Sequence, residues 1–133
     1  MQFSFRIKKD IDTTFDYLTD MQKFITVHPI ISKMKQIDHE TFLMYETLTI
    51  AFIPFSFTYP VTVQKNSAAR KANIKATVFK QIKIEMNFTL TAENEYTIIE
   101  EEIKLKTLVP IQWIVKGIFK KHHARLFKNI ESI

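Results

Sequence analysis

The stretch QIKIEMNFTLT, residues 81–91, alternates apolar and polar side chains over its whole length. Its apolar members share one parity: Ile82, Ile84, Met86, Phe88 and Leu90. A period of two is typical of a β-strand with one buried face and one solvated face. Because antiparallel sheets commonly keep one face in water, the stretch predicts a strand of such a sheet.

Similar alternation continues from this strand in both directions along the chain. It predicts further strands near residues 3–7, 42–52, 55–63, 72–78 and 96–106, and a less regular strand at 30–38. Pro54 is expected to end the strand of residues 42–52, and Asn66–Arg70 is expected to form a turn. Together with residues 81–91 these make seven strands, six of them in one uninterrupted run, and favour an antiparallel sheet.

Two short helices are predicted after the first strand. Asp10 or Asp12 can cap them, and Phe15 and Leu18 recur at helical spacing. The helical region is expected to end near His28, because the following proline disfavours helical geometry in the residue before it.

A long helix is predicted from Pro110 to about Ile130, since proline suits the first turn of a helix. At about 100° per residue, one side of this helix collects Ile111, Val115, Ile118, Phe119, His122 and Leu126. The other side collects Lys116, Lys120, His123 and Glu131. Trp113 and Phe127 project near the lysines, where they are either exposed at a membrane or partner interface or covered by the first helices or a second subunit. The apolar side is expected to pack on the concave face of the sheet.

The composition is that of an ordinary globular protein, with 133 residues, 46% apolar and 25% charged, and we expect a single domain over residues 1–133. The chain has no cysteine, which excludes disulfides, thiolate metal sites and a cysteine nucleophile. Gly117 is the only glycine, so a phosphate-binding glycine loop is excluded as well. No signal-peptide pattern is present, and a cytoplasmic location is expected.

Charge and histidine placement limit the partners that we expect. His122 and His123 are adjacent and diverge on a helix, so no metal site is predicted, and no cofactor either. The formal net charge is +5, and much of the excess lies in the last helix, which permits peripheral contact with an anionic membrane. Nucleic acid is not an expected partner, because no aromatic platform accompanies the basic residues. Both a monomer and a homodimer are compatible with the sequence.

The order of one strand, two short helices, six strands and a long helix resembles the helix-grip fold of the SRPBCC superfamily. This superfamily includes START lipid-transfer domains, the birch-pollen-allergen group and polyketide cyclase-like proteins. The resemblance covers the whole chain and rests on Phe15–Leu18, Val27–Ile31 and Asn94–Glu101 as well as on the element order. The chain departs from many relatives in having no glycine between Val63 and Ile74.

The resemblance implies an α+β helix-grip fold, in which a seven-stranded antiparallel sheet curls around the C-terminal helix. It also implies a cavity between them for an apolar or amphipathic ligand. Residues with inward parity are expected to line that cavity and bind the ligand: Phe57, Tyr59, Ile74, Phe88, Ile99, Glu101, Ile118 and His122.

Two inward polar residues are the candidate catalytic groups. Glu101 shares its parity with Ile99 and Ile103, and His122 lies in the middle of the helical stripe. Glu46 also has inward parity, next to Met44. A buried carboxylate is costly unless it is paired or protonated, and such perturbed acids suit acid–base chemistry or the anchoring of a polar ligand group.

Three functions remain open at this point. The first is a carrier or sensor that binds a small lipid- or polyketide-like ligand. The second is an enzyme of the cyclase or dehydratase kind that uses an inward Glu or His. The third is a protein that docks to a membrane or a partner through the basic C-terminal helix.

Overall fold

The computed structural model describes residues 1–133, and its elements follow the predicted order. They are β1 (Gln2–Ile7), α1 (Ile11–Thr19), α2 (Met21–Val27), β2 (Ile31–Gln36), β3 (Thr41–Ile50), β4 (Ile53–Asn66), β5 (Lys71–Val78), β6 (Ile82–Glu93), β7 (Tyr96–Lys106) and α3 (Gln112–Glu131). The strands form one antiparallel sheet in the order β1-β7-β6-β5-β4-β3-β2. The predicted α+β helix-grip fold is therefore confirmed.

Aspartates set the starts of both short helices. Asp10 accepts a hydrogen bond from the N–H of Thr13 at 2.9 Å. Asp20 accepts hydrogen bonds from the N–H groups of Gln22 at 3.0 Å and Lys23 at 3.3 Å. These carboxylates satisfy backbone donors that a helix start leaves without partners. Because Asp20 also ends α1, the chain turns there and makes two helices.

His28 ends α2 and holds the turn into β2. Its Nδ1 accepts hydrogen bonds from the N–H groups of Ile30 at 3.2 Å and Ile31 at 3.1 Å. An accepting Nδ1 places the proton of the neutral ring on Nε2. Burial, together with the smaller effects of the charges of His123 and His122 on α3, lowers the pKa of His28 from 6.5 to about 3.

Two strands differ from their predicted extents. β3 ends at Ile50 because Ala51 and Phe52 form the turn, and Pro54 lies inside β4 opposite Thr49. β2 is shorter than predicted, and a bulge between Ile31 and Lys33 breaks its alternation. This bulge is the physical reason why the sequence pattern of the strand is poor.

Two hairpin turns at one end of the sheet hold non-glycine residues in the left-handed region. The β3–β4 turn has Ala51 at φ 50° and Phe52 at φ 68°. The β5–β6 turn has Phe79 at φ 53° and Lys80 at φ 60°. Glycine and asparagine are the usual residues in this conformation, which is unfavourable for residues with a bulky side chain.

Helix α3 packs tightly on the sheet through its second half, where His123, Leu126, Phe127 and Ile130 are buried. The prediction that His123 lies on the polar side of α3 is therefore wrong, and Phe127 is covered rather than exposed. The Phe127 ring lies 4.9 Å from that of Phe5 on β1, so the sheet curls far enough to cover this side of the helix. Trp113 is exposed, which agrees with the other of the two alternatives. None of the three helices combines the length and apolarity needed to cross a membrane.

The turn at His28 generates a prediction about pH. Between its folded pKa of about 3 and its ordinary value of 6.5, the unfolded chain binds a proton that the folded chain excludes. The free energy of unfolding should therefore fall as the pH drops below 6.5, by up to about 1.4 kcal/mol per pH unit from this group. His28→Asn keeps an acceptor for the turn but does not titrate, so its stability should fall less steeply.

Urea unfolding at several pH values between 4 and 7 measures how steeply the free energy of unfolding changes with pH in the wild type and in His28→Asn. His39→Asn is the matched control, because His39 is exposed and its replacement should leave the slope unchanged. Equal slopes for the wild type and His28→Asn would contradict the prediction.

Candidate functional site

A cavity of about 190 Å³ lies between the sheet and the part of α3 that runs from Val115 to Leu126. Of the 25 residues that line it, 21 are hydrophobic, and they come from α2, from strands β2 to β6 with their connections, and from α3. Val115, Ile118 and Phe119 form the helical wall and are only partly buried. The space exists because the sheet contacts α3 tightly only further along the helix.

The structure brings six of the eight predicted ligand-binding residues together on the cavity wall. These are Phe57, Tyr59, Ile74, Phe88, Ile118 and His122. Their role in binding a ligand stays a prediction. Ile99 and Glu101 do not lie on the wall.

Ile99 and Glu101 are displaced from the cavity by the packing around β7. Ile99 is completely buried and lies opposite Phe5 on β1 and Leu90 on β6. This region of the sheet is filled by the second half of α3, so no open space reaches it. The side chain of Glu101 lies on the same face of β7 as that of Ile99. It does not line the cavity, but His123, to which it is hydrogen-bonded, does.

Glu101 and His123 form a buried pair. Nδ1 of His123 lies 2.8 Å from Oε1 and 2.7 Å from Oε2 of Glu101, so both carboxyl oxygens face one ring nitrogen. The Glu101 side chain is fully buried and has no other hydrogen-bond partner. Removing either member would leave the other buried without its partner, which is strongly destabilising.

This pair leaves one ring nitrogen of His123 free for a ligand. An ionised Glu101 can only accept hydrogen bonds, so Nδ1 carries the proton and donates it. In the neutral ring, Nε2 then carries a lone pair, and it has no hydrogen-bond partner in the protein. A histidine oriented by a carboxylate is suited to accept a hydrogen bond from a ligand or to act as a base.

A second polar pair lies on the wall formed by β3 and β4. The hydroxyl of Tyr59 donates a hydrogen bond to Oε1 of Glu46 at 2.5 Å. Burial raises the pKa of Glu46, although the Tyr59 hydrogen bond and the charge of His123 oppose the shift. Burial and the neighbouring Glu46 raise the pKa of Tyr59 well above its ordinary value. The low polarity of the cavity therefore favours the uncharged form of both groups.

The remaining polar wall residues are histidines that favour the neutral form. The pKa of His28 is about 3, and burial together with Lys121 and His123 lowers the pKa of His122. No lysine or arginine lines the cavity. No group of three His, Asp or Glu side chains is arranged to hold a metal ion. The cavity thus offers hydrogen bonds but no fixed positive charge.

His28 and His123 are the polar wall residues that the sequence analysis missed. The sequence analysis placed His123 on the wrong side of α3. The apolar residues that defined the buried side are mostly half-buried, so they indicate only roughly which side of the helix faces the sheet. The inward parity of Glu101 was the available signal, since a buried carboxylate needs a partner and His123 is a basic residue on the facing helix. His28 had no signal apart from its place before a proline.

Comparison with solved structures places this architecture among known folds, although no family model and no curated protein matches the chain in sequence. A START superfamily protein from Mycobacterium smegmatis is 13% identical with a TM-score of 0.78, over 99% of this chain and 94% of that one. Major latex-like protein 151 from Panax ginseng is 12% identical with a TM-score of 0.75, over 99% and 94%. The Zhui aromatase/cyclase from Streptomyces sp. R1128 is 7% identical with a TM-score of 0.69, over 99% and 90%.

These matches cover nearly the whole chain at very low sequence identity, so what they share with it is the fold. They include the START and aromatase/cyclase proteins that the element order resembles. The resemblance is thus confirmed at the level of the fold: the chain has the helix-grip fold that these solved structures share.

Proposed function

We propose that residues 1–133 act as one domain that binds a small, largely apolar ligand in this cavity, as a carrier or sensor in the cytoplasm. The observation that carries the proposal is the cavity itself, with 21 hydrophobic residues among the 25 that line it. An apolar wall of this kind, with a few polar groups, is characteristic of small-molecule sites. The START protein among the structural matches is consistent with a binding role.

The size of the cavity limits the ligand. At about 190 Å³ it is smaller than the roughly 300–1,000 Å³ of a typical drug-sized site. One compact ring system or one short aliphatic chain fits this volume better than a lipid with two acyl chains.

The charges of the wall limit the ligand further. A ligand carboxylate would find no lysine or arginine on the wall, and it would face the acidic side chain of Glu46. A hydroxyl group can instead donate a hydrogen bond to Nε2 of His123, and a carbonyl group can accept one from the protonated form of the Glu46 carboxyl group beside Tyr59. The proposed ligand is therefore a neutral apolar molecule with one hydroxyl or carbonyl group.

Filling the cavity should abolish binding. The wild type is expected to bind a neutral fluorescent probe such as 6-acetyl-2-dimethylaminonaphthalene, which has one ring system and one carbonyl group, and Ile118→Trp should weaken binding at least 10-fold by occupying the space beside the sheet. Ile37→Trp is the matched control, because Ile37 is exposed and far from the cavity. A folded wild type that binds no probe, or an Ile118→Trp variant that binds as well as the control, would contradict the proposal.

The ligand class has its own test, with two molecules of equal chain length. Isothermal titration at pH 8 should show 1-octanol binding at least 10-fold more tightly than octanoate, because the carboxylate is then charged and meets no cation. At pH 4 part of the octanoate is protonated, so the difference should narrow. Tighter binding of octanoate at pH 8 would show that the proposed ligand class is wrong.

A second candidate function is acid–base catalysis on a carbonyl compound, and the Glu101–His123 pair is the observation that favours it. A base oriented by a buried carboxylate could take a proton from the carbon next to a ligand carbonyl. An aromatase/cyclase among the structural matches is consistent with this class of chemistry.

Deuterium exchange tests this candidate without knowledge of the natural substrate. In D₂O, Nε2 of His123 would remove a proton next to the carbonyl of 2-octanone, leave an enolate and return a deuteron. NMR should show faster exchange with the wild type than with Glu101→Gln, by at least 10-fold, while both bind the ketone equally. If the wild type adds nothing to the exchange rate in buffer although the ketone is bound, catalysis is excluded and the binding role stands.

A further inference from the structure

Exposed apolar side chains are concentrated at one end of this molecule. Nine of the eleven large hydrophobic residues that are exposed come from three segments. These are residues 50–55 in the β3–β4 hairpin, Phe79 in the β5–β6 turn, and residues 108–114 between β7 and the first turn of α3. We call these three segments together the apolar end. Contiguous exposed apolar surface of this kind marks an interaction site more often than chance exposure.

The sheet register places the three segments side by side. Val78 pairs with Ile82 across the β5–β6 turn, and Lys83 pairs with Lys106 at the end of β7. The chain leaves β7 at this point and enters α3 through residues 108–111. The β3–β4 hairpin joins them through the rings of Phe57 and Phe79, whose centroids are 5.1 Å apart.

The aromatic residues at the two turns are not explained by folding. Phe52 is 98% exposed, so it contributes almost no buried area. Phe52 and Phe79 both lie at positive φ, where glycine or asparagine would be more favourable. Both positions therefore carry a bulky apolar side chain against the preference of the turn. Phe52 gains nothing from burial, and Phe79 stays 64% exposed although its ring contacts Phe57. A partner that buries these rings would account for them.

The charges around the apolar end identify the chemistry of that partner. Lys80, Lys83, Lys106 and Lys116 are exposed, and none of them forms an ion pair. No Asp or Glu occurs in residues 47–84 or 103–130. Lys83 and Lys106 even lie directly opposite one another, which is unfavourable for the isolated sheet. A second copy of this chain would bring like charges together, whereas an anionic surface would neutralise them.

We propose that the apolar end docks on bilayers that contain anionic phospholipid, with Phe52, Leu108 and Trp113 entering the interface and the lysines at the headgroups. Aromatic and aliphatic side chains surrounded by lysines suit this boundary. Phe79 lies both on the cavity wall and in the apolar end, so the docked membrane would adjoin one end of the cavity. The docking itself does not depend on whether the cavity binds a ligand.

Trp113 provides the measurement, because it is the only tryptophan and is 75% exposed. Its fluorescence emission should shift to shorter wavelength when vesicles of 70% phosphatidylcholine and 30% phosphatidylserine are added. Vesicles of phosphatidylcholine alone should give little shift. Co-sedimentation should report the same preference, and 0.5 M salt should reduce binding. The proposal is wrong if the anionic vesicles produce neither a shift nor co-sedimentation.

Matched variants test whether the apolar end is the surface used. Phe52→Ser and Leu108→Ser remove side chains that make almost no contact in the fold, and together they should weaken vesicle binding at least 10-fold. Ile37→Ser is the control, since Ile37 is exposed in the turn at the other end of β3. The proposal is overturned if Ile37→Ser loses as much vesicle binding as the double variant, or if the double variant binds vesicles as well as the wild type.

Charge is tested in the same way. Lys83→Glu lies at the apolar end, whereas Lys71→Glu changes the net charge equally at the other end of the sheet. Only Lys83→Glu should weaken binding to the anionic vesicles several-fold. Sedimentation of the wild type without lipid should show a monomer, which means that no second copy covers the apolar end. A dimer that dissociates in Phe52→Ser/Leu108→Ser would make a second copy the occupant and overturn the proposal.

Discussion

The sheet grips helix α3 along its second half only, and the rest of the structure depends on that contact. Leu126, Phe127 and Ile130 are almost completely buried there, and Phe127 packs against Phe5 at the β1 edge of the sheet. Ahead of this contact, Val115, Ile118 and Phe119 are only partly buried, and together with His122 and His123 they form the helical wall of the cavity. One end of the fold is thus a packed core that stabilises the protein, and the other end contains the cavity.

The Glu101–His123 pair lies at the border between these two regions. Glu101 belongs to the packed part of β7, and His123 belongs to the cavity wall. Both carboxyl oxygens of Glu101 depend on one ring nitrogen, so this pair fixes the rotation of α3 as well as the orientation of the imidazole. Because His123 lies on the cavity wall and its pair with Glu101 also fixes helix orientation, the shape of the cavity and the polarity of its wall depend on the same contact. Packing and function therefore cannot be optimised independently at this position.

Strand positions were predictable from the sequence because a period of two leaves only two possible faces. Phe88 and Leu90 are buried as their parity requires, and Tyr59 and Glu46 point into the cavity for the same reason. Helix orientation was less predictable, because neighbouring residues differ by only about 100° and the sheet curls around more than one side of α3. His123 was misplaced on these grounds. The position of Ile99 depends on where the core ends and the cavity begins, which no local pattern encodes.

The pairing of β1 with β7 has a consequence for the order in which the protein is assembled. Strands β2 to β7 are joined by short turns to their sheet neighbours, so each hairpin can close soon after it leaves the ribosome. β1 is made first but pairs only with β7, as in the contact of Phe5 with Ile99. Such distant pairings form slowly, because a long loop must be closed before they contribute. The first strand therefore has no pairing partner through most of synthesis. Phe3 and Phe5 are the apolar side chains that it would expose to a chaperone during that time.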